Sequence, residues 1–96
     1  MKAEFRAAAR RELMAAADWY LQDGGPAVAE QFEHAVQRAL RLLSAMPTLG
    51  TPKDASVRLW PLRRFPYTLV YRLNGDVLAV IAVAHQSREP EYWQGR

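Results

Sequence analysis

Residues 65–85 read FPYTLVYRLNGDVLAVIAVAH, two apolar stretches joined at Asn74-Gly75. In the first, Phe65, Tyr67, Leu69 and Tyr71 alternate with Pro66, Thr68, Val70 and Arg72, the period-two pattern of a half-buried strand. Asn-Gly strongly favours a two-residue hairpin turn, because both residues tolerate positive φ. Val77 to Ala84 then runs eight apolar residues without a break, rich in Val and Ile, as a central strand covered on both faces would. If Asn74 and Gly75 are the whole loop, Leu73 pairs with Asp76. Phe65, Tyr67, Leu69 and Tyr71 then lie opposite Ala84, Ala82, Val80 and Leu78, large against small. On the other face Val70 meets Ala79, Thr68 meets Ile81, and Arg64 sits directly opposite His85. A slip of one residue would exchange the faces.

Moving outward, Val57-Arg58-Leu59-Trp60 alternates as well, and Pro61 suggests an edge position or a bulge. Ala7 to Leu21 has no Gly or Pro, and Ala9, Leu13, Ala16 and Tyr20 recur at i, i+4, i+7 and i+11, one face of a helix. Trp19 and Tyr20 are expected in the core or at its edge. Gly24-Gly25-Pro26 reverses the chain and starts a second helix, since proline suits the first turn. That helix is expected from Pro26 to Met46, with Val28, Phe32, Ala35, Ala39, Leu43 and Met46 as a stripe widened by Val36 and Leu40. Pro47, Gly50 and Pro52 end it. So short a connection makes the helices an antiparallel hairpin, and each single apolar face needs the sheet to pack on. Lys2 to Phe5 is too short for its own pattern to define a strand. Gln86 to Arg96 is polar and aromatic, and Pro90 argues against a regular element there. The fold class is α+β: a two-helix hairpin on a small, mainly antiparallel twisted sheet.

The 96 residues suit one small domain, 1–96. Half are hydrophobic and 24% charged, a globular composition. With no cysteine there is no disulfide, thiolate metal site or cysteine nucleophile. No apolar run approaches the roughly 18 residues of a membrane span, and a cytoplasmic protein is expected. The net charge of +3 is unevenly placed. Residues 1–46 carry six Lys/Arg and six Asp/Glu, whereas 47–96 carry seven against four. Six of those seven cations are arginines, suited to forked contacts with phosphate or carboxylate. An anionic partner and an ordinary solvated surface both fit.

His85 beside Arg64 would permit phosphoryl transfer to a ribose 2′-hydroxyl. His85 is the acid or base, Arg63, Arg64 and Arg88 hold the developing charge, and Tyr92 or Trp93 stacks on a base. The plain alternative is that His85 ends a buried strand, Arg64 is solvated and Tyr92-Trp93 packs the tail on the sheet. His34, with Glu30 and Glu33 nearby, lacks convergent metal ligands. The glycines form no phosphate loop or dinucleotide fingerprint, and no serine elbow occurs. Neither metal nor cofactor is expected.

An ordered set of residues resembles the RelE/ParE superfamily of bacterial toxins from type II toxin–antitoxin modules. It comprises Glu12-Leu13 with Trp19-Tyr20, then Phe32 through Leu43 to Pro47 and Gly50. Val57-Arg58, Leu62 through Tyr67, Leu69 through Arg72, Ala84-His85, Arg88, Pro90 and Tyr92-Trp93 follow. The resemblance implies that Lys2–Phe5 is a strand, for the order β-α-α-β-β-β. It also implies a cognate antitoxin, acidic or amphipathic where it binds, in a toxin–antitoxin hetero-oligomer. Two activities occur on this fold: ParE-like members inhibit DNA gyrase, and RelE-like members cleave messenger RNA on the ribosome. The long hairpin with its Gly-Gly-Pro turn is similar to the ParE side, associated with plasmid stabilisation. Arg88 and Tyr92 match the arginine and tyrosine of the ribonucleases, but Lys53 stands alone where those carry several lysines. Arg64, His85, Arg88 and Tyr92 are the catalytic set if the chain is a ribonuclease. Arg58, Arg63, Arg72 and Trp93 are candidate nucleic-acid or partner contacts. A non-toxic antitoxin-binding module is the third reading.

Overall fold

The computed structural model describes residues 1–96. The elements are β1 (Lys2–Phe5), α1 (Ala7–Gly24), α2 (Pro26–Ala45), β2 (Thr51–Pro52), β3 (Val57–Pro61), β4 (Tyr67–Asn74) and β5 (Val77–His85). They form one sheet ordered β1-β5-β4-β3-β2, in which β1 runs parallel to β5 and all other neighbours are antiparallel. The helical hairpin packs on one face. Lys2–Phe5 is thus a strand, and the two-residue β2 is an addition that the sequence pattern does not announce.

The α1–α2 reversal depends on two glycines. Gly25 takes φ +87°, a region open to glycine. A Cβ on Gly24 would lie 2.8 Å from the Cβ of Val28, so the close approach of the helix ends needs a residue without a side chain. On the buried face of α1, Ala9 and Ala16 are enclosed, with Leu13 and Tyr20 packed against the same core. Trp19, expected in or beside the core, is instead 57% exposed, because the stripe through Tyr20 turns its neighbour outward. Met46 likewise falls outside the buried stripe of α2, which ends at Ala45. Tyr20, Phe32, Phe65 and Tyr67 join both helices to the sheet, with ring centroids 5.0–6.3 Å apart.

The β4–β5 register departs from expectation in two places. Asn74 pairs with Val77, so the loop is Gly75-Asp76, and Gly75 takes φ +62° at its first position. Such a glycine-first turn matches the right-handed twist of the strands. Farther along, Tyr71 pairs with Val80 but Val70 pairs with Ala82, leaving Ile81 as the extra residue of a β-bulge. The bulge changes which residues face the helices. Val83, rather than Ala82, joins Leu78, Val80, Leu69 and Tyr71 beneath them. Ile81, Ala82 and Ala84 lie with Val57, Val70 and Trp93 in a second cluster on the opposite face. Tyr67, not Arg64, pairs with His85. Arg64 lies in the bend before β4, so its expected place opposite His85 is corrected by the shifted loop and the bulge together.

The connection after α2 is tied to the core by Tyr71, whose side chain is fully buried. Its hydroxyl donates to the Pro47 carbonyl at 2.6 Å and accepts from the Gly50 N–H at 3.0 Å. A Cβ at position 50 would stand 2.5 Å from that oxygen. Gly50→Ala must therefore displace a buried ring or its hydrogen bonds, and we expect it to destabilise the fold by about 1–3 kcal/mol. The denaturant midpoint should fall at unchanged slope.

Candidate functional site

The helices leave one sheet face uncovered, and the tail after His85 folds back over it. Successive turns, including Glu91 at φ +62° and Gly95 at φ +87°, bring Trp93 into contact with the second cluster, where it is buried. An ion pair from Lys53 to Glu91 at 3.2 Å ties the tail to the loop before β3.

Beyond Phe5, β5 has no neighbouring strand on its β1 side. Side chains satisfy the backbone there instead. The Val83 N–H donates to Glu12 Oε1 at 3.0 Å, and Arg96 Nη1 donates to the Ile81 carbonyl at 3.2 Å. Arg96 also grips the carboxylate as a fork, Nη1 to Oε1 at 2.9 Å and Nη2 to Oε2 at 3.2 Å. The Tyr92 hydroxyl donates to Oε2 at 2.6 Å. Glu12 on α1 thus accepts four hydrogen bonds from β5 and the tail. Both Arg88 and Arg96 approach the Tyr92 ring, with guanidinium carbons 3.9 and 5.2 Å from its centroid.

Burial acts to raise the Glu12 pKa, but the hydrogen bonds from Arg96, Tyr92 and Val83 outweigh it and hold the carboxyl below its ordinary value. Burial, then the hydrogen bond to Glu12 and its negative charge, push the Tyr92 phenol up to about 12. Tyr92 is thereby held as a neutral donor to a carboxylate.

His85 is half-buried, edge-on to the Tyr67 ring at 5.0 Å. Its Nδ1 accepts the Ser87 N–H at 3.0 Å and lies 2.7 Å from Ser87 Oγ. That acceptor role puts the proton of the neutral ring on Nε2. His85 and Arg88 line two clefts of about 250 Å³ each, one with Tyr67 and the exposed Trp19, the other under the tail with Tyr92 and Trp93.

The remaining candidates divide. Arg58 Nη1 donates to the Thr48 and Gly50 carbonyls at 2.9 and 2.8 Å, bracing the connection after α2. Arg72 reaches the Arg96 carbonyl at 3.3 Å. Arg63 and Arg64 are exposed and line a separate groove against α2. The structure therefore gathers His85, Arg88 and Tyr92, and leaves Arg64 apart. Sequence reasoning missed Glu12 and Arg96 as the centre of this arrangement. A signal was available: Glu12 lies three residues after Ala9 and four before Ala16, an acid on the apolar stripe of α1.

Replacing Glu12 by Gln removes the charge that holds Arg96 and Tyr92, and we expect about 1–3 kcal/mol of lost stability with a loosened tail. Unfolding followed by tryptophan emission checks this. For the wild type, the depressed Glu12 pKa stabilises the fold above the ordinary value of 4.5, and that contribution fades as pH falls below it. The raised Tyr92 pKa contributes fully below pH 10, and this is lost as pH climbs from 10 to about 12. Stability should therefore decline at both ends, and Tyr92→Phe should remove its share of the alkaline decline.

The family model for the ParE toxin of the type II toxin–antitoxin system parDE matches residues 3–90. Among solved structures, the chain is similar to one described as the chromosomal ParDE TA system from P. aeruginosa. The TM-score is 0.64 at 21% identity, covering 88% of this chain and 95% of that one. At that identity the likeness speaks for the fold. The search of curated proteins returned no match. With its helical hairpin, five-stranded sheet and a match over 3–90, the chain belongs to the ParE toxin family of type II toxin–antitoxin systems.

Proposed function

We propose that this protein is a growth-inhibiting toxin, neutralised by a cognate antitoxin, that acts by docking on DNA gyrase and not by cutting RNA. The observation that carries this reading is the engagement of Tyr92. Its hydroxyl is committed to Glu12 at 2.6 Å and its ring to Arg88, while Arg64 lies in another groove from His85. A ribonuclease needs an acid, a base and a cation converging where a phosphate can sit. Here Tyr92 is spent on holding the tail, and Arg64 is not beside His85. Family membership supports the toxin role and an antitoxin partner, and the cytoplasm as the place of action is part of the proposal; the choice of gyrase rests on Tyr92 being committed to Glu12 and on Arg64 lining a different groove from His85.

One observation favours the ribosome-dependent endoribonuclease as a second reading. With Nδ1 occupied by Ser87, His85 can present Nε2–H beside Arg88 in the cleft walled by Trp19. A proton donor and a cation in one cleft are part of such a site.

The test is pulse induction of the protein alone, followed by plasmid topology and 5′-end mapping of translated messages. We expect growth arrest, loss of negative supercoiling and intact messages, with His85→Ala still toxic. Codon-phased cuts confined to translated RNA, lowered about a hundredfold or more in His85→Ala, would establish the ribonuclease instead. Continued growth would reduce the protein to an antitoxin-binding module.

A further inference from the structure

The inner face of α1 packs on α2, β1 and β5, and its outer face is left to solvent. Along that outer face run Ala7, Arg11, Met14, Asp18 and Leu21, at i, i+4, i+7, i+11 and i+14. All five are exposed, Met14 at 60% and Leu21 at 47%. A stripe that repeats every seven residues is the narrow seam by which one helix packs along another. This stripe carries one cation and one anion, and neither enters an ion pair of the fold. About 10 Å of helix separates Arg11 from Asp18, whereas charges pair along a single helix at three or four residues. Each therefore presents an unmatched charge on a face that also exposes a methionine and a leucine.

We propose that the outer face of α1 binds the same face of a second copy of this chain, antiparallel, across a two-fold axis at Met14. The stripe is complementary to itself when turned end for end: apolar, cation, Met, anion, apolar becomes apolar, anion, Met, cation, apolar. Met14 of one copy then meets Met14 of the other, Arg11 meets Asp18 twice, and the small Ala7 receives Leu21 at both ends. That is the isologous contact of a two-fold dimer. A parallel alignment would set Arg11 against Arg11 and Asp18 against Asp18, so charge selects the antiparallel one. The flexible methionine side chain adapts to its twin at the axis. One helix laid on one helix buries less than the roughly 1,200 Å² of a standard interface, so the dimer is weak and concentration-dependent. The inference is independent of which target the toxin acts on.

The test is sedimentation equilibrium of the full-length protein, purified free of other chains, from micromolar to submillimolar concentration. Wild type should show a monomer–dimer equilibrium. Arg11→Asp and Asp18→Arg each bring like charges together at two places and should raise the dimer Kd at least about tenfold. Arg11→Asp/Asp18→Arg restores opposite pairs and should return Kd to within about threefold of wild type. Geometry is tested separately by cross-linking. The chain has no cysteine, so Met14→Cys supplies a single thiol beside the axis and should give a disulfide-linked dimer on mild oxidation. Leu21→Cys should not, because its two copies would lie about 20 Å apart along the helices. All four positions are exposed, and wild-type melting curves will establish that the variants fold. A protein that stays monomeric, single charge variants that associate as tightly as wild type, or a double variant no tighter than the singles overturns the proposal. So does Leu21→Cys cross-linking as readily as Met14→Cys.

Discussion

Ala82 pairs with Val70 and Val80 with Tyr71, which leaves Ile81 between them without a partner of its own, and the two faces of β5 are set by that bulge. With one extra residue in β5, Val83 turns toward the helices, and Ile81 and Ala82 turn together toward the other face. Ala82 and Ala84 thereby join Ile81 on the second face, and Trp93 covers it. At the same place β1 has ended, so the Val83 N–H and Ile81 carbonyl need partners. Glu12 and Arg96 provide them. The bulge sets which side chains the tail covers, and the early end of β1 leaves the backbone groups that the carboxylate clamp satisfies, as the rule that backbone polar groups away from water must be paired requires.

The clamp links three parts of the chain remote in sequence: α1, the middle of β5 and the last residues of the tail. Its charges are not deeply enclosed. The side chains of Arg96 and Glu12 retain 27% and 17% exposure, so the pair keeps some hydration and the bidentate geometry is gained without full desolvation. The neutral donor Tyr92 adds a hydrogen bond without adding charge. This explains how a tail without regular structure can be held on a sheet.

The contacts of the arginines clarify the basic character of the chain. Most of the arginine excess in residues 47–96 is internal to the fold, spent on carbonyls, on a carboxylate or on an aromatic face. Arg63 and Arg64 have no such contact, and they share their groove with Arg38, from the electrically balanced first half. A count of charges along the sequence therefore does not tell which arginines the fold leaves without a partner inside the chain.

Local periodicity determined the elements. The spacing of Ala9, Leu13 and Ala16, the Gly-Gly-Pro reversal and the alternation from Phe65 to Tyr71 each express a period that backbone geometry imposes within a few residues. The unbroken run Val77–Ala84 identified the central strand for the same reason. The strand character of Lys2–Phe5 came only through the family resemblance, because four residues carry too little pattern. Tertiary structure alone decided the register. Whether the turn is Asn74-Gly75 or Gly75-Asp76, and whether β5 bulges at Ile81, depends on how both faces pack, and that is a property of the whole sheet. Arg64 and His85 were separated by that decision. Glu12, Tyr92 and Arg96 were brought together by it, across as many as 84 positions of sequence that no local pattern can span.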